Sequence, residues 1–144
     1  MGDVSEIQEA KKWIRAVLTA NVDIAAVVGT RVFADRSPSP VVFPYIIYNF
    51  LGGTDVQGLG TARLLARPLF QVRVVGEGSP NTDARKVDKR IDTVLQNAVN
   101  QQSGDYYFSA RREQPVDRPE LDPATNKVFF NLGGLFRLYI GRKV

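Results

Sequence analysis

The chain has 144 residues, 44% of them hydrophobic, with 19 basic and 15 acidic side chains and a formal net charge of +4. That length suits one domain, and burial of roughly 70% of the unfolded surface leaves no need for a disulfide or metal staple. Cys and His are both absent, which excludes disulfides, thiolate and imidazole metal sites, and catalysis built on Ser-His-Asp or Cys-His.

No apolar run approaches the ~20 residues of a membrane span. The start, MGDVSEIQEA, has neither the basic nor the apolar region of a signal peptide. Gly2 is followed by Glu6 where a myristoylation motif requires Ser or Thr. These features predict a chain that stays in the cytoplasm of the cell that makes it. Residues 73–144 carry 12 basic and 9 acidic groups, against 7 and 6 in residues 1–72, so the mild positive surplus lies in the second half. It suits nucleic acid or an acidic partner without requiring either.

The first predicted element is a helix from Ser5 to Ala20. Ser5 and Gln8 form a capping box, and Ile7, Ala10, Ile14, Val17 and Leu18 recur at helical spacing. Trp13 lies off that stripe, at the core edge or against a partner. Asn21 breaks the helix, Asp23 caps a short second one over Ile24–Val28, and Gly29 ends it. Arg31–Phe33 is a short strand, and the prolines from Pro38 to Pro44 make a loop. Tyr45–Phe50 is near-continuously apolar, as in a strand covered on both faces. Residues 52–60 hold four glycines and form a mobile hairpin connection. Leu69–Val75 alternates, with Phe70, Val72 and Val74 on one face and Gln71 and Arg73 on the other. A second long helix covers Asp83–Gln101, with Ala84, Val87, Ile91, Val94, Leu95 and Ala98 inward. Tyr106–Arg112 is a strand. Gln114–Thr125 holds Pro115, Pro119 and Pro123 and is predicted as an irregular, functional loop. Lys127–Gly141 is a final strand, with a bulge or bend at Gly133-Gly134.

The expected fold is α+β: a mostly antiparallel sheet of four to five strands with two amphipathic helices packed on one face. The expected organisation is a single domain over 1–144, with a glycine-rich arm at 52–67 and a proline-rich loop at 114–125. The second face of such a sheet needs cover or a partner.

The search for chemistry is mostly empty. No Ser-x-x-Lys spacing is present. Asp117, Glu120 and Asp122 match no calcium loop and fit a solvated acidic segment better. Gly76-Glu77-Gly78 has the strand-to-helix context of a phosphate turn but lacks the third glycine, and Glu77 and Asp83 would repel phosphate. The basic residues of the second long helix interleave with Asp83, Asp88 and Asp92, as on a solvated face. No catalytic, cofactor or metal-binding residue is assigned.

Three segments carry a family resemblance: Ala25-Ala26-Val27-Val28-Gly29-Thr30-Arg31-Val32-Phe33, Phe43-Pro44-Tyr45-Ile46-Ile47-Tyr48, and the strand-helix unit Phe70–Leu95. In that order the chain resembles the tail-completion or tail-terminator (head–tail joining) proteins of long-tailed bacteriophages. The resemblance implies a structural virion protein without catalytic residues, located at the head-proximal end of the tail. It implies a homo-oligomeric ring of six subunits, contacting the tail-tube protein below and a head-completion or connector protein above. DNA would pass through the ring without sequence-specific contacts. The alternative, from the residues alone, is a monomeric basic α+β domain that binds nucleic acid.

Leu59, Leu64, Leu65 and Arg67, in or beside the glycine-rich arm, are candidates for subunit contact, and so are Pro115, Pro119 and Leu121 in the proline-rich loop. A competing reading folds Leu64 and Leu65 over the uncovered sheet face. Arg111, Arg112, Arg137 and Arg142 lie on the last two strands and are candidates to face the channel or its DNA.

Overall fold

The computed structural model describes residues 5–57 and 63–142. Helix α1 spans Glu6–Thr19, and the Ser5 hydroxyl accepts the Gln8 amide at its start, as the capping box predicts. Helix α2 spans Val22–Val28. Its cap is Asn21, whose side chain accepts the Ile24 amide, so Asn21 begins the second helix and Asp23 falls in its first turn. Gly29 follows with a φ of +59°, a conformation that suits glycine. Strand β1 (Val32–Ala34) then pairs in parallel with β2 (Tyr45–Gln57). Strand β3 (Arg63–Glu77) leads to α3 (Thr82–Gln96), whose N-cap is Asn81. The chain ends with β4 (Gln101–Ser103), β5 (Tyr106–Asp122) and β6 (Lys127–Arg142).

The strand order is β1-β2-β3-β6-β5-β4, in a curled half-barrel, and every pairing but the first is antiparallel. This corrects the expected four-to-five-stranded sheet with two helices packed on one face. The fold is mostly sheet, with six strands and three helices among the described residues. The excess strand comes from three places. Residues 52–57 and 63–68, expected in the glycine-rich arm, continue β2 and β3. Residues 114–122, expected in a loop, continue β5. Gln101, expected as the helix end, begins β4 with the two residues after it, because α3 stops at Gln96.

Proline does not break β5, for a reason visible in the register. Beyond Phe108 the edge of β5 away from β6 has no strand partner among the described residues. At Ala110 and Arg112 the backbone N–H groups point to that edge, where they donate to the Ala98 carbonyl and the Gln96 side chain. A register shift between Arg112 and Gln114 inserts Glu113 and moves the alternation by one residue. Pro115 and Pro119 then face the open edge, so their missing N–H groups cost no ladder bond. The irregularity expected at Gly133-Gly134 is thus on β5 instead. Both glycines stay paired on β6, with Arg73 and Val72 on one side and Val116 and Pro115 on the other.

One sheet face and all three helices build the core. Ile46, Tyr48, Phe70, Val72, Val74, Phe108, Phe136, Leu138 and Ile140 meet Ile14, Leu18, Ile24, Val28, Val87, Ile91 and Leu95. Ile7 and Val17 are only partly buried against this cluster. Trp13 is at the core edge, 3% exposed, stacked 5.0 Å from Phe108, with its indole N–H donated to Gln101 at 3.2 Å.

Two substitutions test this packing by chemical denaturation. Leu95→Ala is expected to cost about 2–5 kcal/mol, the range for a fully buried leucine. Gly133→Ala is expected to cost about 1–3 kcal/mol, because its Cβ would collide with the Val72 carbonyl and the β3 backbone cannot give way cheaply. An unchanged midpoint in either variant removes that contact from the account.

Candidate assembly surface

Alternation divides the sheet into a helix-covered face and a second face. Among the described residues none on the second face belongs to the core cluster, and Ile47, Gln71, Val75 and Asn131 are buried apart from it. It carries Arg67, Leu69, Gln71, Arg73 and Val75 from β3, and Phe129, Asn131, Leu135, Arg137 and Tyr139 from β6. From β5 it carries Ser109, Arg111, Gln114, Val116, Arg118 and Glu120.

At one end this face is closed by aromatic rings. Phe43, in the loop before β2, stacks 5.4 Å from Phe129 and lies 5.6 Å from Tyr45. Next to this, Arg73 donates to the Asn131 side-chain carbonyl, and the Asn131 amide donates to Glu120 at 3.3 Å. Asn131 is fully buried. Burial lowers the Arg73 pKa, Arg118 lowers it further, and Glu120 opposes both.

The middle of the face is built around Arg137. It sits directly across from Arg111, a like-charge pair that needs a counterion. Glu113, the bulge residue, supplies it. Arg137 donates to both Glu113 oxygens, at 3.0 and 3.1 Å, and to the Arg67 carbonyl at 3.0 Å. That carbonyl is free because the β3–β6 ladder is interrupted at Arg67-Pro68. The hydrogen bond from Arg137 holds the Glu113 carboxyl below the usual carboxylate range. Thr54, Arg67, Glu113, Arg137 and Tyr139 line an open cavity of about 260 Å³. The Arg67 Nε is buried without a hydrogen-bond partner among the described residues.

The four candidate channel arginines therefore divide. Arg111 and Arg137 share the second face. Arg112 lies on the helix side, its stem filling the space above Gly134 and its Nε 3.6 Å from Asp92. Arg142 is also on the helix side, at the end of β6 across from Tyr106. The candidate contact residues divide as well. Leu65 and Arg67 stand on the second face, with Leu65 beside a cavity lined by Tyr107 and Tyr139. Pro115, Pro119 and Leu121 are exposed on the far half of β5, where Leu121 (57% exposed) stands across from Val128 (45% exposed). Leu59 lies outside the described residues, and Leu64 enters β3.

The acidic trio also separates. Asp122 holds the turn after β5, accepting the Ala124 amide and the Thr125 hydroxyl. Glu120 serves Asn131 on the second face. Asp117 is on the helix side, close enough to Asp88 to raise its pKa. Gly76, part of the suspected phosphate turn, is instead the seat of the Phe130 ring. Glu113, Arg73, Arg118 and Asn131 were not candidates from sequence. Of these, Arg73 alone left a signal, as a polar position in an alternating strand.

Asp88 yields a pH test. Burial raises its pKa most, Arg112 opposes this, and Asp92 and Asp117 reinforce it. One carboxylate oxygen is buried without a hydrogen-bond partner among the described residues. An acid whose pKa is raised by folding binds a proton more tightly folded than unfolded, so its charge destabilises above both pKa values. Stability from this group rises as pH falls from the raised value towards the ordinary one. Asp88→Asn should therefore raise the melting temperature at neutral pH, with the gain shrinking as pH drops through that window. An equal shift at all pH values rejects the assignment.

No curated protein matches the chain. A solved chain from the virion of a native gene transfer agent particle shares the fold, with a TM-score of 0.62 at 15% identity, covering 89% of this chain and 91% of that one. Residues 12–133 match the family described as tail completion protein gp17, well over half of the sequence. The chain belongs to the tail completion protein gp17 family, structural proteins of the virion tail.

Proposed function

We propose that this protein is a tail terminator: a ring of six subunits that caps the tail tube and joins it to the head-completion proteins. The family match over residues 12–133 carries the reading. The surface supports it. A sheet face without helix cover, lined by arginines and half-buried leucines, is available for protein contact. The exposed Leu121–Val128 pair near the β5–β6 turn offers a second, apolar contact, suited to the tube or the head-completion protein.

The test is assembly on isolated tail tubes. Light scattering on the purified chain, and electron microscopy of tubes incubated with it, should show a six-subunit ring at one tube end. Tube ends without added density, with the chain still monomeric, overturn the reading.

DNA passing through such a ring is expected to meet only weak, non-specific attraction. Arg111, Arg118 and Arg142 are exposed, whereas Arg112 and Arg137 are paired with acids. Binding to duplex DNA should fall steeply between low and moderate salt and show no sequence preference. A sequence-selective complex that survives high salt contradicts this and favours a nucleic-acid-binding domain.

A further inference from the structure

The sheet blunts one of its two long edges and leaves the other bare. On β5, Pro115 and Pro119 remove donors that a foreign strand would use. On β2, strand β1 covers only residues 46–48. Residues 49–57 have β3 on one side and no strand on the other among the described residues. That run spans roughly 30 Å at the usual rise of a strand. It holds no proline, lysine or arginine. Instead Phe50 and Leu51 stand on it, 41% and 48% exposed.

The backbone direction along this edge is fixed by β1. The Ile46 amide donates to the Arg31 carbonyl, and the Tyr48 carbonyl accepts the Asp35 amide, so alternate residues of β2 turn their polar groups that way. Phe50 continues the series past the end of β1. The register shift inserts Leu51, and the outward direction then passes to Gly53 and Asp55. On the helix side of the same edge, where α1 begins, lies a cleft of about 180 Å³. Ile7, Phe50, Ala66 and Pro68 are its apolar walls, and the Phe50 ring is held 5.7 Å from Phe70. A Cβ at Gly53 would strike the Arg67 carbonyl, so this position carries no side chain and the cleft stays open beside it. Its described lining includes two acids, Glu6 and Asp55, and no base.

We propose that the open edge of β2 takes an added strand from a different protein of the virion tail. The added segment sets an aliphatic side chain into the cleft across from Gly53 and a basic one across from Asp55. Residues directly opposite in paired strands point to the same face, which places both side chains on the cleft side. A row of outward main-chain groups selects an extended polypeptide, and the cleft and its acids select the side chains. A second copy of this chain fits less well. Among its described residues the other long open edge is that of β5, which lacks the N–H groups of Pro115 and Pro119. A two-fold pair of β2 edges would bring two bulged, acidic strands together. The proposal rests on the family's place in the virion tail and not on the ring.

Hydrogen exchange tests it, on the purified chain and on the chain in complete virion tails. Residues 49–55 are expected to exchange freely in the purified chain and about tenfold or more slowly in the tail. Leu51→Lys and Asp55→Lys, at exposed positions, put positive charge on the edge. Each is expected to keep the melting temperature and to enter tails about tenfold less well than the unaltered chain. Exchange at 49–55 as fast in the tail as in the purified chain overturns the proposal. Two lysine variants that enter tails like the unaltered chain overturn it as well. If either variant unfolds, exchange in the unaltered chain still decides. Protection already present in a two-subunit species or a purified ring assigns the edge to a second copy and also overturns it. A subunit number other than six in the tail defeats the ring reading and leaves the added strand standing.

Discussion

The close antiparallel pairing of β3 with β6 is the constraint on which the rest of the molecule depends. These two strands hold the middle of the sheet, yet α3, β4 and β5 all lie between them in sequence. Bringing them together costs loop-closure entropy before any contact repays it. The return comes from one face. Phe70 stands across from Phe136, and Val74 across from Leu132, and both pairs join the stripes of the helices in a single core. Gly133 makes the approach possible, since any side chain there would strike the β3 backbone. Because side chains alternate, the pairing that fixes this core also fixes what stands on the other face.

That other face is polar for much of its middle, and its polar groups are tied to one another. Arg73, Asn131 and Glu120 form one chain of hydrogen bonds, and Arg137, Glu113 and the Arg67 carbonyl form another. Neither is a strong source of net stability, because desolvating charged groups offsets much of the attraction. Their effect is positional. Arg137 repairs the gap that Pro68 leaves in the ladder, and Glu113, present only because of the β5 bulge, neutralises it. The face is thereby ordered in the single chain, and an ordered surface loses less entropy on docking than a mobile one.

Much of the core was legible in the sequence, and less of the sheet. Helical spacing identified the inward residues of α1 and α3, and alternation identified Phe70, Val72 and Val74, all buried. Local capping chemistry found Ser5 and Gly29 but misassigned the start of α2, because Asn21 and Asp23 are both good caps and only the backbone decides between them. The proline-rich part of β5 was not legible. Pro115 and Pro119 forbid a central strand, and whether an edge is free at those positions depends on a neighbour distant in sequence and on a one-residue bulge. The arginine face was half legible for the same reason. Arg111 and Arg112 are neighbours in sequence, and strand alternation sends them to opposite faces, one to Arg137 and the other to Asp92.

The division of labour between the two faces fits an assembly protein better than either face alone would suggest. A subunit that joins its neighbours by strand addition exposes its edge to every other unpaired edge in the cell. Here the long open edge of β5 is blunted twice by proline, and the short β4 occupies its other end. What the second face presents is a patterned surface of charge and half-buried leucine, and surfaces of that kind discriminate by juxtaposition, because a wrong partner meets like charge. Core packing stabilises the single chain through one face of the sheet. The register that builds this core leaves the opposite face with an order, a charge and no helix over it among the described residues.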